Sequence, residues 1–258
     1  MKKQEQAAIE AVAKHFGGTW ERSEDPSQTF VSIAGRRIAV AVTTVKQRIA
    51  HRADLAKPRL RFDRVVRELI ARLQAALRTS VPDGTTVIFT MTAPIRLPSK
   101  TAEALEDKIR VCLARRSSRV HCEEAIHGNQ IQIRLVKSSS RRISKVVGLV
   151  HNPDSDPDML IHITQSLLQH IAAAAAGHTR GRSAKERWLV TIIEDAVARV
   201  ETYRQVYAQL SIPTDFTKIL MVFAGGRLET LTGAGDASWL RSEGALAVRR
   251  ATGSPWVG

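Results

Sequence analysis

At 258 residues and 43% hydrophobic content, the chain is long enough to bury a core as one large domain or two small ones. Aromatic residues make up only 5% and there are two cysteines, which disfavours stacking platforms for single-stranded bases and excludes a disulfide framework. The formal net charge is +14, and two stretches carry more than all of it: residues 31–78 hold twelve Lys/Arg against three Asp/Glu, and residues 96–150 hold twelve against five. Charge concentrated in this way favours a polyanionic partner, nucleic acid foremost.

The start, Met1-Lys2-Lys3-Gln4-Glu5, lacks the apolar core of a signal peptide. No segment approaches the roughly 18 uninterrupted apolar residues of a membrane span, so the expected setting is cytoplasmic, without a membrane. Residues 3–16 place Ala7, Ala8, Ala11, Val12 and Phe16 near one helical face, and Gly17-Gly18 stops the helix. After the polar turn at 23–27, Phe30–Ile33 and Ile38–Val42 flank Ala34-Gly35-Arg36-Arg37 and predict a β-hairpin. The clearest helix spans 61–78, where Phe62, Val65, Val66, Leu69, Ile70, Leu73 and Leu77 form one stripe. Arg61, Arg64, Arg67, Arg72 and Arg78 fall on the opposite side. That side reads either as a solvated outer face or as a phosphate-facing one.

Thr85–Thr92 reads as a buried strand, and Pro98-Ser99-Lys100-Thr101 opens a helix to about Arg116 with Ser99 as its cap. Ile131–Val136 and Lys145–Val150 predict a second strand pair, joined by a turn containing Arg141 and Arg142. An acidic linker precedes a helix at about 159–176. Trp188–Ile193 is β-branched as a strand would be, yet Leu189, Ile192, Ala196, Val200, Tyr203, Tyr207 and Leu210 also fit a helical spacing; the expectation is a strand at 187–193 and a helix at 196–210. Lys218–Phe223 is the last long strand, turned by Gly225-Gly226 towards Leu228–Leu231. The whole predicts one α/β domain over 1–231, strongly basic at 31–150, with a mixed central sheet flanked by helices. The Gly-, Ala- and Ser-rich remainder, 232–258, is expected to be a disordered tail.

No complete catalytic motif is present. The Pro98–Thr101 junction lacks the G-x-x-x-x-G of a phosphate loop, though Lys100 at a helix start suits an anion. Asp154, Asp156 and Asp158 alternate as in a calcium loop, but the central Gly is missing and Gln165 stands where a bidentate Glu belongs. Cys112, Cys122, His121 and His127 lack zinc-ligand spacing.

The order of helix, polar turn and hairpin over residues 3–45, and more loosely the strands and helix over 185–231, resembles the PD-(D/E)XK nuclease-like superfamily. The resemblance implies a restriction-endonuclease-like fold, with Glu10 at the place of the helix glutamate and Asp25-Pro26 before the first hairpin strand. Where that family carries E-x-K, this chain has Ala41-Val42-Thr43. A metal-dependent phosphodiesterase needs at least two converging carboxylates for Mg²⁺, so the resemblance implies a degenerate member. The expectation is therefore a DNA- or RNA-binding protein that does not cleave and needs no cofactor. Its candidate contacts are Arg36, Arg37, Arg61, Arg64, Arg67, Arg72, Lys100, Arg141 and Arg142. The alternatives are an active Mg²⁺-dependent nuclease drawing carboxylates from Glu10, Asp25, Asp54 or Asp63, and a scaffold whose basic face meets an acidic protein.

Overall fold

Strand and helix alternate as the sequence leads one to expect, but the strands divide between two mixed sheets. In this computed structural model the described residues are 2–23, 29–45, 60–61, 63–115, 121–137, 144–177, 186–194, 198–210, 212 and 214–233. The first elements are α1 (Lys3–His15), β1 (Thr19–Arg22), β2 (Thr29–Ile33) and β3 (Arg36–Val45). There follow α2 (Arg64–Leu77), β4 (Thr85–Thr92), α3 (Pro98–Ala114), β5 (His121–Ile126), β6 (Asn129–Lys137) and β7 (Val146–His151). The chain closes with α4 (Pro157–Gly177), β8 (Arg187–Ile193), α5 (Val200–Leu210), β9 (Lys218–Val222) and β10 (Leu228–Gly233).

One sheet has the order β1-β2-β3-β8-β9-β10. Its β3–β8 and β8–β9 pairs are parallel and its outer pairs antiparallel. The hairpin and the 218–222 strand therefore share a sheet, as expected. The other sheet has the order β5-β6-β4-β7, with β4 parallel to β7 and antiparallel to β6.

Alternation along the strands assigns the faces. On the six-stranded sheet Val40, Trp188, Val190 and Ile192 pack with Ala8, Ile9, Val12 and Ala13 of α1. The other face, with Ala41, Val45, Leu189, Ile193 and Met221, packs with α4 and α5. On the four-stranded sheet Val87, Phe89, Met91, Ile131 and Ile133 meet α2 and α3. Its remaining face, with Ile88, Val136, Val147 and Leu149, joins the same cluster as α4. Helix α4 thus lies against both sheets, through Leu160, Ile161, Ile163, Leu167, Leu168 and Ile171, each at most 2% exposed.

Several expectations are corrected. The strands at 131–136 and 145–150 do not pair with each other, because β4 lies between them. The polar strands β1 and β5 escape the apolar-run criterion because both are edge strands, free to carry charge. Ser99 is not the cap of α3. Leu97 takes that place in the left-handed region (φ 44°) with Pro98 as first helical residue, a position that needs no N–H. The Arg96 carbonyl is met instead by the Thr101 hydroxyl (2.7 Å) and the Asn129 amide (3.0 Å). Helix α4 starts two residues early, where Asp156 Oδ1 accepts from the backbone N–H groups of Asp158 and Met159. The expected tail lies outside the described residues beyond Gly233.

Gly148 of β7 faces Phe89 across the parallel pair. A Cβ there would stand 2.4 Å from Phe89 Cζ and 2.8 Å from Ile70 Cγ1, and both side chains are buried in the α2–α3 core. Overpacking of this kind costs about 1–3 kcal/mol. Gly148→Ala is expected to lower the unfolding free energy by that amount, read as a lower urea midpoint at an unchanged slope; an unchanged midpoint would place Phe89 elsewhere.

Candidate nucleic-acid interface

Helix α2 is positioned by its apolar stripe. Val66, Leu69, Ile70, Leu73 and Leu77 are buried, and Asp63 Oδ1 accepts from Val66 N–H at 3.2 Å to cap the first turn. Arg61, Arg64, Arg67, Arg72 and Arg78 are exposed, as the helical period requires. Acids lie among them. Arg61 pairs with Asp63 (3.8 Å), Arg64 with Glu68 (2.6 Å) and Arg72 with Glu103 of α3 (2.9 Å). Among the described residues, Arg67 and Lys100, which is exposed in the first turn of α3, form no ion pair. Pairs this exposed are screened by solvent and contribute little to stability, so a phosphate can displace the carboxylate at little cost.

Arg36 and Arg37 stand on the other sheet, at the β2–β3 turn. Arg36 pairs with Glu186 at 3.4 Å. Arg37 pairs with Glu21 at 2.9 Å and stacks 3.9 Å from the Phe30 ring centroid. No described contact joins these two arginines to the α2 face. Arg141 and Arg142 lie outside the described residues. The partners Glu103, Glu186 and Glu21 come from distant chain segments or another strand, which a helical-face reading does not register; only Glu68, four residues from Arg64, was legible as a helix-surface partner.

A cleft of about 500 Å³ opens beside Arg61. It lies at the carboxyl ends of parallel β4 and β7, where open α/β sheets leave a crevice as the two chains diverge. Val65, Val66, Ala93, Pro94, Ile95 and Pro153 give it apolar walls, with Arg61, Asp63 and Asn152 as its polar groups. Three backbone contacts hold its floor: Leu60 bridges His151, Arg61 N–H donates to Val150 O (2.7 Å), and Ala93 N–H donates to His151 O (2.8 Å). Nothing in the sequence marked this cleft, because its walls come from three separate segments.

The places matched to a nuclease centre are not brought together. Ala41 and Thr43 project towards α4, whereas α1 packs the opposite face of that sheet. Glu10 is exposed on α1, where its carboxylate accepts from Gln6 Nε2 at 2.9 Å. Asp25 and Asp54 lie outside the described residues, and Asp63 is the α2 cap. Among the described residues no group of three or more His, Cys, Asp or Glu is placed to hold a metal ion. No described helix is long and apolar enough to cross a membrane.

Around Thr43 there is instead a polar contact with α4. Thr43 Oγ1 lies 3.3 Å from His170 Nδ1, and the Oγ1 of Thr191, next to Thr43 in register, is buried without a partner among the described residues. Burial pushes the His170 imidazole below its ordinary pKa. Compared with protein-family models, with curated proteins and with solved structures, the chain matches none.

Burial likewise lowers His151, the last residue of β7, and His162, in the second turn of α4. With folded values below the unfolded ones, the unfolded chain binds more protons. The contribution of these groups to stability is present above the ordinary value of 6.5 and is lost as pH falls through and below it. The urea midpoint is expected to drop between pH 7.5 and pH 5. His170→Gln should shrink that drop, and an equal drop in the variant would remove His170 from the account.

Proposed function

We propose that this chain is a nucleic-acid-binding protein on a nuclease-like α/β frame that does not cleave. The observation that carries the reading is where the charge resides. Four connections between elements, residues 46–59, 116–120, 138–143 and 178–185, hold twelve Lys/Arg and a single Asp. The described residues are close to balance, with 24 Lys/Arg against 19 Asp/Glu. Cationic charge spread over several separate stretches of the sequence suits a long polyanion, which presents many phosphates. Exposed Arg64 and Arg67 on α2 add to it.

The choice of nucleic acid over other polyanions draws on the frame. The succession α1, β1, β2, β3, α4 and β8, with β8 parallel to β3, is in keeping with the resembled restriction-endonuclease-like order, residues 46–156 being set between β3 and α4. Non-cleavage follows from Ala41 and Thr43 at the metal-binding places and from Glu10 lying across the sheet from them.

Fluorescence anisotropy with a labelled duplex and an RNA of equal length, between 50 and 200 mM salt, tests the reading. Binding should weaken steeply with salt, each neutralised phosphate contributing about −0.9 to the slope of log K against log salt for duplex DNA. The pair Arg64→Glu and Arg67→Glu should flatten that slope by about 2 and change stability by no more than about 0.5 kcal/mol. Glu68→Gln, which frees Arg64, should move affinity the other way. Failure of the wild-type protein to bind either nucleic acid at 50 mM salt would end the proposal, and Mg²⁺-dependent cleavage lost on Glu10→Ala would replace it with an active nuclease.

A further inference from the structure

The two cysteines, ten residues apart, meet in space. Cys112 is in the last turn of α3 and Cys122 is the second residue of β5. Their Sγ atoms are 3.1 Å apart and both are free thiols. A disulfide needs about 2.05 Å between sulfurs, so closure requires a shift of only about 1 Å. The two elements are already clasped. Lys108, one turn before Cys112, pairs with Glu124, two residues after Cys122, and Leu105, Ile109 and Cys112 belong to one buried cluster against which Cys122 packs.

We propose that Cys112 and Cys122 form a reversible oxidation site, closed by exchange with a small-molecule disulfide. Their accessibilities differ and fix the order of events. Cys122 is half-buried on an edge strand, whereas Cys112 is fully buried. The Cys122 thiolate attacks the small disulfide, forming a mixed disulfide and releasing one thiol. The Cys112 thiolate then attacks the Cys122 sulfur and releases the second. Two protein thiols are oxidised and one small disulfide is reduced to two thiols, which carry away the two protons. Burial first, then the hydrogen bond with Cys122, pushes the Cys112 thiol up to about 11, so the second step should quicken as pH rises.

The bond would close a loop whose nine intervening residues include Arg115, Arg116 and Arg119, tying a basic connection to the frame. This inference does not depend on the nucleic-acid reading. A loop of this length restricts the unfolded chain enough to raise the melting temperature by roughly 5–10 °C.

The test incubates the full folded chain with oxidised glutathione at pH 8 and follows it by intact-mass and non-reducing peptide mass spectrometry. The expected product has lost two hydrogens, links the Cys112 and Cys122 peptides, melts higher and reverts with dithiothreitol. Cys112→Ala, chosen for its small volume change, should leave Cys122 holding a stable glutathione adduct. Cys122→Ser should leave the folded chain inert. Oxidation of wild type only after unfolding, or its arrest at glutathione adducts, would overturn the proposal.

Discussion

The structure depends on the burial of α4 between two sheets. A helix apolar on most of its circumference cannot rest on one surface and leave the other wet. Leu160, Ile161, Ile163, Leu167, Leu168 and Ile171 are all at most 2% exposed, so most of the circumference of α4 is covered. The same cluster takes in Ala41 and Val45 of β3, Ile88 of β4 and Val147 of β7. At about 1.5–3 kcal/mol for each large apolar side chain fully buried, this one helix outweighs any surface ion pair in the molecule. It also admits few polar atoms. Thr164 returns its hydroxyl to the Leu160 carbonyl at 2.6 Å, and His170, whose pKa burial lowers, lies beside Thr43.

That packing explains how the frame can leave its charge to the connections. Cations are excluded from the shared core by desolvation, and the described surface balances many of its arginines with local acids such as Glu68, Glu103 and Glu186. The remaining excess falls on the segments that join elements. On the six-stranded sheet Ala41 is buried against α4 and Thr43, half-buried, meets His170 of that helix.

How much of this was legible follows from particular residues. The α2 stripe and the runs at 85–92 and 218–222 declare themselves because burial imposes period and β-branching on them, whereas 187–193 also fits a helical spacing and is decided by its parallel pairing with β3 and β9. The division into two sheets does not, because β4–β7 pairing is parallel and needs a crossover that places β4 between strands adjacent in sequence. Edge strands β1 and β5 look like loops for the same reason they are tolerated, since one side of each meets water. The start of α3 misled because Pro98 opens the helix after a left-handed Leu97 with no side-chain cap, while Asn129, some thirty residues away, brackets Arg96 just before it. At the candidate site the arginines were legible. The partners of Arg36, Arg37 and Arg72 and the Arg61 cleft were not, because they are assembled from distant segments.

Hydrogen exchange with and without a duplex of about 20 base pairs, read by mass spectrometry at low salt, bears most directly on the division of labour between frame and connections. The account predicts that α4 exchanges only through global unfolding in both states, while duplex-induced protection falls on peptides covering 46–59, 116–120, 138–143, 178–185 and the exposed side of α2. Rapid exchange throughout α4, or protection confined to the β9–β10 edge of the six-stranded sheet, would contradict it.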